Sequence, residues 1–157
     1  MSVYASETSV DSGKSRSEIE RTLTRYGATS FSYGWESGRA AIAFVADGRQ
    51  IRFVLPLPDR NQREFTHTPS TKRPRTPLQA EAEYEKAVRQ RWRALSLVVK
   101  AKLEAVNAGI VTFEQEFYAH TVLPNGQTVY EHTRDAVDDA YLTGTVPPML
   151  ALAPKVG

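Results

Sequence analysis

Apolar positions alternate from residue 30 to 55 and then change period. In "TSFSYGWESGRAAIAFVADGRQIRFVLPLP", Phe31, Tyr33 and Trp35 interleave with Ser30, Ser32 and Gly34. That period of two predicts a strand. Ile42 and Phe44 share one face of a second strand over Arg39 to Ala46, and Ile51, Phe53 and Leu55 supply a third. Ser37-Gly38 turns the chain once, and Asp47-Gly48, a strong two-residue hairpin signal, turns it again. The result is an antiparallel meander with an aromatic-aliphatic face. Its other face is small and polar: Ser30, Ser32, Gly34, Ala41, Ala43 and Arg52.

Helical periods flank the meander. Ile19, Leu23 and Tyr26 recur at i, i+4 and i+7, with Gly27 as a stop. Ser15-x-x-Glu18 and Ser17-x-x-Glu20 fit a capping box, which predicts a helix start there and a flexible arm over 1–14. Downstream, Tyr84, Val88, Trp92, Leu95, Val99, Leu103 and Val106 step by four and three. This predicts one long helix from about Leu78 to Ala108, its stripe covering the aromatic face of the meander. Ala87, Ala94, Val98, Ala101 and Ala105 form a second, small-residue stripe where another helix or another subunit fits. The expected fold is therefore α+β, with an α-β-β-β-α core.

The remaining segments carry weaker patterns. Residues 58–77 hold four prolines and read as a linker. Thr112 caps a short helix bearing Phe113 and Phe117. "HTVLPNGQTVYEH" reads as a hairpin turning at Asn125-Gly126, "TRDAVDDAYLTG" as an acidic helix ending near Gly144, and 145–157 as an extended tail. At 157 residues this is one domain, spanning 15–144. No apolar run approaches the ~20 residues of a membrane span, and the absence of cysteine suits a reducing cytoplasm.

Charge distribution adds what the net charge of +2 hides. From Leu103 onward the only cations are Arg134 and Lys155, so the chain has a basic front and an acidic rear. The stretch Lys86 to Lys102 contains no acid, although it is the middle of a core helix. By angular count Lys86, Arg89, Arg93 and Lys100 gather on one face. Arg91 and Lys102 border the buried stripe and are expected to snorkel. Arg39, Arg49, Arg52, Arg60, Arg63, Lys72, Arg73 and Arg75 lie in the meander or its exit. A helix lying across the sheet would let these groups line one basic groove, which is what a sequence-independent grip on phosphates requires. Phe65, in a polar loop, is the aromatic best placed to stack a base there, whereas Trp92 reads as core.

Enzymatic signals are sparse. "YGWESG" lacks the Lys-Ser/Thr step of a phosphate loop, and His67, His120 and His132 lack zinc-like spacing. Glu131, His132, Asp135, Asp138 and Asp139 fall close enough together to suggest a metal-dependent nuclease as a minor alternative. No cofactor is expected.

The order short helix, three antiparallel strands, basic loop, long helix resembles the core of the single-strand annealing proteins, the Rad52-like and phage RecT/Redβ types, over Ser15 to Ala108. The small, Arg-rich make-up with polar ends also looks like that of phage or prophage proteins. The resemblance implies a ring or helical homo-oligomer that binds single-stranded DNA and pairs it with its complement, without hydrolysing a nucleotide. The alternative is a non-enzymatic phage interaction protein, such as an inhibitor of a host defence system, using the same surface on a protein partner.

Overall fold

A computed structural model of the chain describes residues 3–149, with side chains from 12 onward. Its elements are α1 (Val3–Tyr26), β1 (Ser30–Glu36), β2 (Arg39–Ala46), β3 (Arg49–Pro56), α2 (Arg63–Thr66), α3 (Pro77–Asn107), α4 (Phe113–Glu116), a 3-10 turn (Tyr118–His120) and α5 (Val129–Thr143). This is the expected α+β layout: a helix, a meander in the order β1-β2-β3, a long helix and a C-terminal group of short helices.

Local chemistry explains each boundary. Asp47 and Gly48 both adopt positive φ, 50° and 72°, as a two-residue hairpin demands, and register pairs Ala46 with Arg49. Gly27, at φ 116°, ends α1, and the Ala28 N–H donates back to the Leu23 carbonyl. Thr76 opens α3 with a capping box to Gln79, and Pro77 occupies its first turn.

Alternation sorts the sheet as expected. Phe44 pairs with Phe31 and Ile51, and Ile42 with Tyr33 and Phe53. Ile42, Phe44, Ile51 and Phe53 are buried with Val88, Trp92, Leu95, Val99 and Leu103 of α3 and Ile19 and Leu23 of α1. Both long helices therefore cover one face of the sheet. The other face, with Gly34, Ala41 and Val54 in one cross-strand row, stays open.

Four details differ from the sequence reading. α1 begins at Val3 rather than at Ser15, because the first twelve residues contain neither proline nor glycine to stop a helix. The segment 58–77 is folded: α2 forms within it, and His67 bridges Pro74. The small-residue stripe of α3 is not where α1 packs. Glu85 and Ser96 of α3 are buried, whereas Ala94, Leu97, Val98 and Ala101 are exposed. The turn at Asn125-Gly126 forms and Val122 bridges Thr128, but Thr128 then caps a helix instead of continuing a strand. The end of the extended tail expected over 145–157 lies outside the described residues. Among the described residues no helix is long and apolar enough to cross a membrane.

Candidate nucleic-acid interface

The contact between α3 and the sheet is hydrophobic core, so no groove runs between them and the expected basic residues divide into separate groups. Strand parity decides the first group. Ile51 and Phe53 point inward, which sends Arg52 outward beside Ala43, and Arg39 pairs with Glu36 and Pro56 on that same outer face. Arg39 forms an ion pair with Glu36. Arg52 donates to the Gly126 carbonyl and to Glu131, both at 2.9 Å. This bond, with Thr128, holds the Glu131 carboxyl below the usual carboxylate range. Arg49, at the sheet end, pairs with Glu114 at 3.1 Å. These three arginines fasten the sheet to its own turns and to the C-terminal elements.

The second group sits in the loop between β3 and α3. Arg60 pairs with Glu81 and lies over the Tyr84 ring at 4.1 Å. Arg75 is largely covered and pairs with Glu83 at 3.4 Å. Phe65 is only 4% exposed and meets Tyr84 edge-on at 5.7 Å, so it cannot stack a base. Its position in a polar loop is overridden because α2 folds onto the start of α3. Arg63, Lys72 and Arg73 remain exposed, the last two at the tip of a tight loop in which the Thr68 and Lys72 amides donate to Arg73 and Thr68.

The third group is the band on α3. Lys86, Arg89, Arg93 and Lys100 fall within roughly 60° of one another around the helix axis. Lys86, Arg93 and Lys100 are exposed, and among the described residues no ion pair reaches them. Arg89 is half-buried and has a partner of its own. Lys86 to Lys100 spans ~21 Å of helix. Arg91 and Lys102 do snorkel. Arg91 donates to the Pro56 carbonyl at 3.2 Å, and Lys102 pairs with Glu116 at 3.1 Å.

Of the aromatic residues, Trp92 is core, while Tyr33 is half-exposed and Trp35 is 78% exposed at the open edge of the sheet. The linear pattern held no sign that the Arg16 guanidinium would lie 3.8 Å from the Tyr33 ring centre. Nor did it show that Leu97, Tyr130 and Tyr141 would be left uncovered. Among the described residues no three histidine or carboxylate side chains converge as metal ligands. Compared with known proteins, the chain matches no family model, no curated protein sequence and no solved structure.

Proposed function

We propose that this chain binds single-stranded DNA through its phosphates and anneals it to a complementary strand, as a homo-oligomer working in a bacterial cytoplasm on behalf of a phage or prophage. The observation that carries this reading is the acid-free cation band on α3. Arg39, Arg49, Arg52, Arg60 and Arg75 of the sheet and loop pair with Glu36, Glu114, Glu131, Glu81 and Glu83, yet Lys86, Arg93 and Lys100 stand exposed along one rigid helix. A row of cations on a stiff element grips a flexible polyanion without reading its bases. Lys72 and Arg73, exposed at their loop tip, are a second place for phosphate. The chemistry needs no cofactor, because annealing makes and breaks no covalent bond.

The test is a gel shift of the purified protein with labelled single strands over a salt series, beside a fluorescence assay of complementary-strand pairing. Binding to unrelated sequences with similar affinity, weakening as salt rises, supports the reading. No binding at low salt overturns it. Trp35, exposed on the edge strand in register with Ala40, favours a second reading in which the chain acts by holding another protein, and that reading takes over if DNA is ignored.

A further inference from the structure

We propose that α5 of one copy docks lengthwise on α3 of a second copy. The two helices expose matching apolar stripes. On α5, Tyr130, Val137 and Tyr141 recur at i, i+7 and i+11, and Tyr141 is 89% exposed. On α3, Ala94, Leu97, Val98 and Ala101 recur at i, i+3, i+4 and i+7, and Leu97 is 59% exposed. Extended to Ala105, the α3 stripe covers ~16 Å, the same length as Tyr130 to Tyr141.

Charge then selects the partner. Asp135 and Asp138 border the α5 stripe on one side, with Arg134 paired to Asp135 and Glu131 held by Arg52 on that same side; Arg93 and Lys100 outnumber Glu104 on one border of the α3 stripe. With the stripes facing, parallel helices bring Asp135 and Asp138 to Arg93 and Lys100, whereas reversing one helix brings them to Arg91 and Lys102, which are already bonded to the Pro56 carbonyl and to Glu116. No segment of the same copy satisfies this. Arg52 ties the first turn of α5, through Glu131, to the sheet face turned away from α3. The α3 stripe faces solvent on the other side of the molecule. The occupant is therefore a second copy, and the contact is head-to-tail. Each docked copy leaves its own α5 available to the next, which builds a ring or a filament.

This deepens the self-association within the proposed function but does not depend on DNA. Arg93 and Lys100 also belong to the cation band, so the experiment is done without nucleic acid. In low-salt sedimentation velocity the wild type is expected to associate in the micromolar range. Asp135→Lys with Asp138→Lys should weaken association roughly tenfold, the sum of small exposed-pair terms turned repulsive. Adding Arg93→Asp and Lys100→Asp to that same chain should restore it. Tyr141→Asp should weaken association by itself. The chain has no cysteine, so Ala94→Cys with Tyr130→Cys should oxidise into a ladder of linked copies, and Ala105→Cys with Tyr130→Cys should not. A monomeric wild type, or a charge reversal that associates as the wild type does, overturns the proposal whatever the gel shift shows. A gel shift that fails while the ladder forms removes the DNA reading and keeps this interface.

Discussion

Replacing Phe117 by alanine should unfold much of the margin by which the chain is stable, because one side chain fastens three parts of it. Phe117 is fully buried. Its ring stacks on Phe113 at 4.6 Å and meets Phe44 and Phe53 edge-on at 5.9 and 6.2 Å. The first contact lies in the C-terminal segment, and the other two reach the second and third strands of the sheet. Truncating a buried Phe costs about 3–5 kcal/mol in transfer and cavity terms. The edge-on and stacked pairs, each about 0.5–1.5 kcal/mol, push this site to the upper half of that range. A loss of about 4 kcal/mol would be a large part of the 5–15 kcal/mol typical of a domain. Urea denaturation followed by circular dichroism and by the fluorescence of buried Trp92 is the assay. At a slope of about 2 kcal/mol per molar urea, the midpoint should fall by about 2 M with one coincident transition. Phe117→Leu should cost about 1.5 kcal/mol or less. A loss below about 1 kcal/mol, or a separate transition for the C-terminal helices, would refute the claim that residues 113–143 share one cooperative core with the sheet.

Three further outcomes are expected. Lys86→Gln, Arg93→Gln and Lys100→Gln together should flatten the salt slope of single-strand binding by about 2, at about 0.7 per lost phosphate contact, with a nearly unchanged melt because Gln is a good helix former; an unchanged slope puts the phosphate site elsewhere. Burial, then the Lys102 charge, lowers the His120 pKa below 6.5, and its ring lies on Phe53 at 4.0 Å. The folded state thus binds fewer protons than the unfolded one, so stability is complete above pH 6.5 and falls as pH drops below it; thermal melts over pH should show this decline, and His120→Phe should flatten it. Thr128→Ala removes the cap that accepts from the Glu131 amide at 3.2 Å and should cost about 1 kcal/mol, read as a lower urea midpoint.

The elements were legible wherever one signal acted alone. Alternation with Asp47-Gly48 at φ values only such a pair tolerates left no rival for the meander. The core stripe of α3 was equally clear, and five of its positions, Val88, Trp92, Leu95, Val99 and Leu103, are buried. Errors arose where two signals competed. "QTVYEH" has strand composition, yet the Thr128–Glu131 capping box wins because it satisfies helix amides that a strand edge would leave to water. Phe65 sits among polar residues, but Tyr84 offers it apolar surface from a neighbouring element, which local composition does not reveal. The basic groove needed Arg52 on the same side as α3, although the alternation that buries Ile51 and Phe53 already sends Arg52 outward. Which cations are consumed by acids was not legible at all, since Arg49–Glu114 and Arg52–Glu131 join residues far apart in the chain.

These pairings explain why a core helix carries an acid-free run of cations. Only part of the circumference of α3 is needed for the fold: the sheet and α1 bury the arc from Val88 through Trp92 to Ser96. Beside it lies the arc of Lys86, Arg93 and Lys100, and beyond that the exposed arc of Ala94, Leu97, Val98 and Ala101. Acids placed between these cations would neutralise them as Glu131 neutralises Arg52. Cations placed across the apolar arc would stop a second helix from approaching. Neither substitution would disturb the buried arc, so folding alone does not account for the separation. On the proposed reading it follows from two uses of one rigid element, a phosphate grip on the cationic arc and a neighbouring copy on the apolar one, with Arg93 and Lys100 on the border between them.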